Sequence, residues 1–171
     1  MRGCVMMALA LLPAAGAAAE PGVPAGVALI SGCWRGDGTV EGKPVTMAIA
    51  ARPAALEALL VVEAESEAVA DSSDRYAAHL VFAGDGKAGS GVTGFWADSF
   101  GGGYTAQGVG KAGPDGFDIT YAYPDSAFVN EWRVLANRLQ WRIIARGSKG
   151  SVSVFASYVL TKTACPVASA R

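Results

Sequence analysis

The chain has 171 residues, with 14 Lys and Arg against 15 Asp and Glu and a hydrophobic share of 51%. That length suits one domain, and a near-neutral balance with no basic stripe excludes the electrostatic footprint of nucleic-acid binding. One histidine and three cysteines leave too few ligands for a His- or Cys-rich zinc site once two cysteines are paired.

In chain order, Met1–Ala19 reads as a secretory signal peptide: a positive charge at Arg2, an apolar run from Cys4 to Ala15, and the small residues Ala17-Ala18-Ala19 before a cleavage point near Glu20. The apolar run is about a dozen residues, short of the roughly 20 that span a bilayer, so no membrane span is expected after cleavage. The protein is placed in the periplasm or outside the cell. Glu20–Val27, with two Pro and two Gly, reads as an extended linker. Residues 28–166 form the single folded domain, and 167–171 a tail.

Loss of Cys4 with the signal leaves Cys33 and Cys165, an even pair in an exported chain, which points to a disulfide between the two ends of the domain. Two alternatives stand beside it. Ile30-Ser31-Gly32-Cys33 looks like a lipobox that would acylate Cys33, although Glu20, Pro21 and Pro24 occupy the place of its apolar core. The other is a pair of independent thiols.

From near Ala28 the hydrophobic pattern has a period of two, the mark of half-buried strands. Val45, Met47 and Ile49 share a face, as do Tyr76, Ala78, Leu80 and Phe82. Ala54–Ala70 is rich in helix formers, but Glu63, Glu65 and Glu67 alternate with apolar residues. A strand puts all three on one solvent face and a helix scatters them, so a strand is expected over Leu59–Ser66. Further strands are expected over Val92–Ser99, Tyr104–Lys111, Phe117–Tyr123, Phe128–Leu135, Leu139–Arg146 and Val152–Lys162. Short turns such as Pro114-Asp115-Gly116 and Pro124-Asp125-Ser126 separate them. With Cys33–Val40 as the first, the count is ten.

Ten strands joined by short turns predict an all-β fold, an antiparallel up-and-down meander that removes its edges by closing into a barrel. A β-sandwich is the alternative, but it needs longer crossovers than this chain has. Closure also brings the first and last strands, and so the two cysteines, together.

Gly32-Cys33-Trp34 presents Gly-x-Trp on the first strand and resembles the opening motif of the calycin superfamily, which includes lipocalins, fatty-acid-binding proteins and avidins. Gly94-Phe95-Trp96-Ala97-Asp98-Ser99 is similar to a group of uncharacterised bacterial lipocalin-like domains. The resemblance implies that Trp34 closes the barrel floor against a basic side chain near the last strand, for which Lys162 is the match. It also implies an internal cavity suited to a small apolar ligand.

Candidate chemistry is sparse. His79, alone, reads as a partly buried structural histidine, with haem ligation or catalysis as alternatives. Gly108-Val109-Gly110-Lys111-Ala112-Gly113 spells a dinucleotide fingerprint, yet no helix follows it; Arg35-Gly36-Asp37 is an adhesion tripeptide by chance. No cofactor, metal site or nucleophile elbow is indicated, so an enzyme is not favoured. If the tryptophans of the late strands point inward, Asp98 shares a face with Trp96, and Asn130 with Trp132. These four are the candidate ligand-binding residues. The expected role is binding a small apolar molecule. A structural or protein-interaction module with a filled barrel is the alternative, and a shape-driven isomerase using Asp98 a third. No protein partner is identifiable.

Overall fold

The computed structural model describes residues 22–87 and 89–166; the expected signal segment and the expected tail lie outside them. Ten strands follow in order: β1 (Gly32–Val40), β2 (Lys43–Ala54), β3 (Leu59–Ala68), β4 (Asp71–Gly84), β5 (Gly91–Asp98), β6 (Ala106–Gly113), β7 (Gly116–Tyr123), β8 (Ser126–Leu135), β9 (Arg138–Gly147) and β10 (Val152–Thr163). Each pairs antiparallel with its neighbour in sequence, and β1 closes on β10, so the sheet is one up-and-down barrel without an edge.

The alternation that implied strands is the alternation that fills the barrel. Val45, Met47 and Ile49 of β2, Ala78, Leu80 and Phe82 of β4 and Phe117, Ile119 and Tyr121 of β7 are all buried inside. On β3 the three glutamates face solvent between buried Val62, Ala64 and Ser66. Outside, Glu63 pairs with Arg52 at 2.9 Å, Asp118 with Arg133 at 2.6 Å and Glu131 with Arg142 at 3.3 Å. Such exposed pairs contribute at most about 1 kcal/mol each. The β1–β2 turn has both central residues, Glu41 and Gly42, at positive φ, which matches the right-handed twist of a two-residue hairpin.

Cys33 lies opposite Thr163 in the β1–β10 ladder, and two residues further on Cys165 bonds to it, with Cα atoms 5.1 Å apart. The acylated and free-thiol alternatives for Cys33 therefore lapse. The same end of the barrel holds Trp34, whose register partner is Lys162. The Lys162 ammonium lies 5.2 Å from the centre of the Trp34 ring, and the indole N–H donates to the Ile30 carbonyl at 2.8 Å.

Three features depart from the sequence reading. The described part of the expected linker is not extended: Ala25–Ala28 forms a single helical turn, α1, and Val27 and Ile30 are completely buried. Two apolar residues so close to a barrel end gain more by plugging it than by staying in water. Gly26 makes this possible, since any Cβ there would collide with the carbonyls of Gly113 and Gly116. Second, β6 begins at Ala106, and Tyr104 belongs to a short 3-10 turn, Gly102–Tyr104. Third, His79 is exposed on the outer wall, opposite Glu63, so it is not the partly buried histidine expected and has no access to the interior.

Candidate functional site

One half of the barrel is solid. Phe82, Phe117, Trp132, Leu139 and Leu160 are fully buried there above the α1 plug. The other half opens into a cavity of about 600 Å³, a usual size for a small-molecule site. Its mouth is framed by the β1–β2, β5–β6 and β7–β8 connections, at the end away from the disulfide.

The cavity base is an aromatic stack. Phe117 lies parallel to Trp132 with ring centres 5.8 Å apart, and Trp132 stacks on Trp141 at 4.2 Å. Trp141 is the first of these to reach the cavity, where Tyr158 and Trp96 flank it at 5.0 and 6.0 Å. Two inward glycines make room on the opposite wall. Gly94 and Gly108 are cross-strand partners, and a Cβ on either would fall within 3.1 Å of the Tyr121 side chain. Tyr121 thus lies across β5 and β6 as no larger residue at those positions would allow.

Of the four candidate residues, Trp96, Asp98 and Asn130 line the cavity and Trp132 does not; it is sealed beneath, between Phe117 and Trp141. Asn130 is 1% exposed. Its Oδ1 accepts from the Trp141 indole at 2.9 Å, and its amide reaches only the Phe128 carbonyl at 3.5 Å. Asn130 therefore fixes the Trp141 ring and retains donor capacity at the cavity wall. Asp98, half-buried, is the more heavily held group. Its Oδ2 accepts from the Tyr76 hydroxyl at 3.1 Å and the Trp96 indole at 2.9 Å, and its Oδ1 from the Phe100 amide at 3.0 Å. The last bond anchors the start of the β5–β6 loop, and a Tyr123 hydroxyl bond to the Tyr104 carbonyl, 3.1 Å long, holds its end.

Sequence reasoning missed Tyr76, Phe155 and Tyr158 as wall residues. Period-two alternation assigns Tyr76 and Tyr158 to the inward face, so their signal was present. Phe155 had none: the β9–β10 register slips between Val154 and Ala156, and this bulge turns Phe155 inward against Phe128, with ring centres 5.3 Å apart. The tyrosine hydroxyls are shielded. Burial raises the pKa of Tyr121 and Tyr158 well above the ordinary phenol range, and at Tyr76 burial acts together with the adjacent Asp98 charge. The Tyr121 hydroxyl has no hydrogen-bond partner among the described residues.

These phenols set an alkaline limit. The folded barrel keeps them protonated above about pH 10, where the unfolded chain ionises them, so their contribution to stability is constant up to that pH and falls beyond it. An absorbance titration of phenolate should show these three ionising only as the barrel unfolds. Early ionisation of all five tyrosines in the folded state would contradict the burial.

Among the described residues there is no cluster of three or more His, Cys, Asp or Glu arranged to hold a metal, and no helix long and apolar enough to cross a membrane. No protein-family model matches the chain, and no curated protein matches it.

Proposed function

We propose that this protein is an exported binding protein that takes a small, largely apolar molecule into its barrel, in the manner of calycins. The observation that carries the reading is the half-filled interior. A barrel stabilised only for structure gains by packing its core throughout, whereas here the aromatic stack stops at Trp141 and leaves about 600 Å³ behind a mouth rimmed by loops. Ten of the lining side chains are aromatic, and they offer wide apolar contact with few placed polar groups, the usual composition of a ligand pocket. The export part of the proposal rests on the signal-like sequence of Met1–Ala19, and a Cys33–Cys165 disulfide is compatible with an oxidising compartment outside the cytoplasm.

The calycin part of the proposal rests on the Gly32-Cys33-Trp34 motif; Trp34 is buried at the disulfide end of the barrel, with the Lys162 ammonium 5.2 Å from its ring centre. The filled-barrel interaction module gains no comparable support, because the interior is not filled.

Native mass spectrometry of the exported protein, followed by tryptophan-fluorescence titration with apolar probes, tests the proposal. A one-to-one complex is expected, with quenching of Trp96 and Trp141. The response should disappear in a Trp96→Phe, Trp141→Phe double variant, which keeps Trp34 and Trp132 as emitters outside the cavity. Absence of any bound or bindable molecule would overturn the reading.

A further inference from the structure

We infer that the cavity selects a small organic cation, a protonated amine carrying an aromatic or aliphatic body, and that Asp98 is its counter-ion. The inference rests on the ligand-binding reading above and specifies its ligand class.

Charge comes first. The lining contains four carboxylates, Glu41, Asp74, Asp98 and Asp125, and one cation, Lys43. Among the described residues, no arginine or histidine lines it. A low-dielectric cavity whose walls carry one sign of charge focuses the field at its mouth and concentrates ligands of the opposite sign. An anionic ligand, such as a fatty-acid carboxylate, would meet net repulsion here and no guanidinium to receive it.

Asp98 differs from the other half-exposed acids in its partners. Asp118, Glu63, Glu67 and Glu131 each face an arginine on the outer wall. Among the described residues Asp98 has only neutral donors: a phenol, an indole and a backbone amide. They satisfy three of its roughly four acceptor positions, orient the carboxylate and leave its charge uncompensated. One acceptor position remains for a cationic donor, and an ammonium fits it.

The aromatic walls supply the second, independent feature. Ring faces attract cations through their quadrupoles, more so when desolvated. Asp98 shares the inward face of β5 with Trp96, two residues nearer the mouth, and Trp96 adjoins Trp141 and Tyr121 at 6.0 and 5.4 Å. A ligand entering body first would lay its apolar part on Trp141 and leave its ammonium at the level of Asp98, Tyr76 and Trp96. The remaining amide hydrogen of Asn130 adds hydrogen-bonding capacity for a neutral polar substituent on the body.

The test compares three probes of one shape by calorimetry on the intact protein at neutral pH: naphthylmethylamine, naphthylmethanol and naphthoate. The amine should bind at least about tenfold more tightly than the alcohol, a modest share of what a close charge pair yields near a protein surface, and the acid should bind most weakly. Asp98→Asn should abolish the preference, so that within the variant the amine and the alcohol bind with equal affinity. If that variant fails to fold, the wild-type ranking decides alone. Equal affinities, or a preference for the acid, would overturn the cation assignment and leave the cavity reading intact; failure of all three to bind would overturn both.

Discussion

Reduction of the Cys33–Cys165 disulfide, or its replacement by Cys33→Ser with Cys165→Ser, should lower the unfolding free energy by about 4–5 kcal/mol in the chain-entropy model. The bond joins positions 132 residues apart, so it constrains almost the whole unfolded domain. In the folded state it repeats what the β1–β10 ladder already does, since Cys33 and Thr163 are register partners. The stabilisation therefore acts mainly through the unfolded chain. The folded barrel should keep its spectrum on reduction, its melting temperature should drop by about 10–20 °C, and the denaturant slope should rise because the freed chain exposes more surface. Guanidinium unfolding with and without reductant measures all three. Ligand affinity should stay constant, because the bond lies at the plugged end and the mouth at the other. A loss below about 1 kcal/mol would mean that the reduced unfolded chain keeps its ends together.

Much of this architecture is legible from local alternation, because a closed barrel is the structure in which local alternation decides the most. Every strand pairs with its sequence neighbour, so hydrophobic period and turn chemistry suffice to fix count, order and closure. The three glutamates of β3 illustrate this: their spacing outweighs the helical propensity of Ala, Leu and Glu around them. Legibility ends where the period breaks. Phe155 enters the cavity through a bulge, and a bulge is a matter of register between two strands. Tyr104 enters through a loop whose shape depends on Asp98 holding the Phe100 amide, and on glycines that fit many conformations. The floor plug is illegible for a related reason. A Pro- and Gly-bearing stretch reads as linker until a barrel end is present for Val27 and Ile30 to cover. Asp98 and Asn130 were recognisable as polar residues on inward faces, but their partners, Tyr76 and Trp141, lie on other strands.

Trp132→Ala should be among the most damaging single substitutions in the domain, costing about 3–5 kcal/mol. Trp132 is fully buried and stacked on both faces, by Phe117 and Trp141, with Phe82 edge-on at 6.0 Å. Its indole N–H, however, has no acceptor among the described residues. A buried unpaired donor costs about 1–3 kcal/mol, and Phe removes it while keeping a ring in the stack. Trp132→Phe should therefore cost less than half as much as Trp132→Ala, the smaller ring's cavity being offset by the vanished donor. Denaturant unfolding of the two variants separates these contributions, and a Phe variant as unstable as the Ala variant would show that the N–H is hydrogen-bonded in solution. The substitution also reaches the cavity without touching it. Trp132 backs Trp141, Trp141 is held by Asn130 at 2.9 Å, and both Trp141 and Asn130 are wall residues. A folded Trp132→Ala protein should consequently bind the naphthyl probes more weakly than Trp132→Phe, with the ranking by charge preserved, because Asp98 lies on another strand and keeps its own partners.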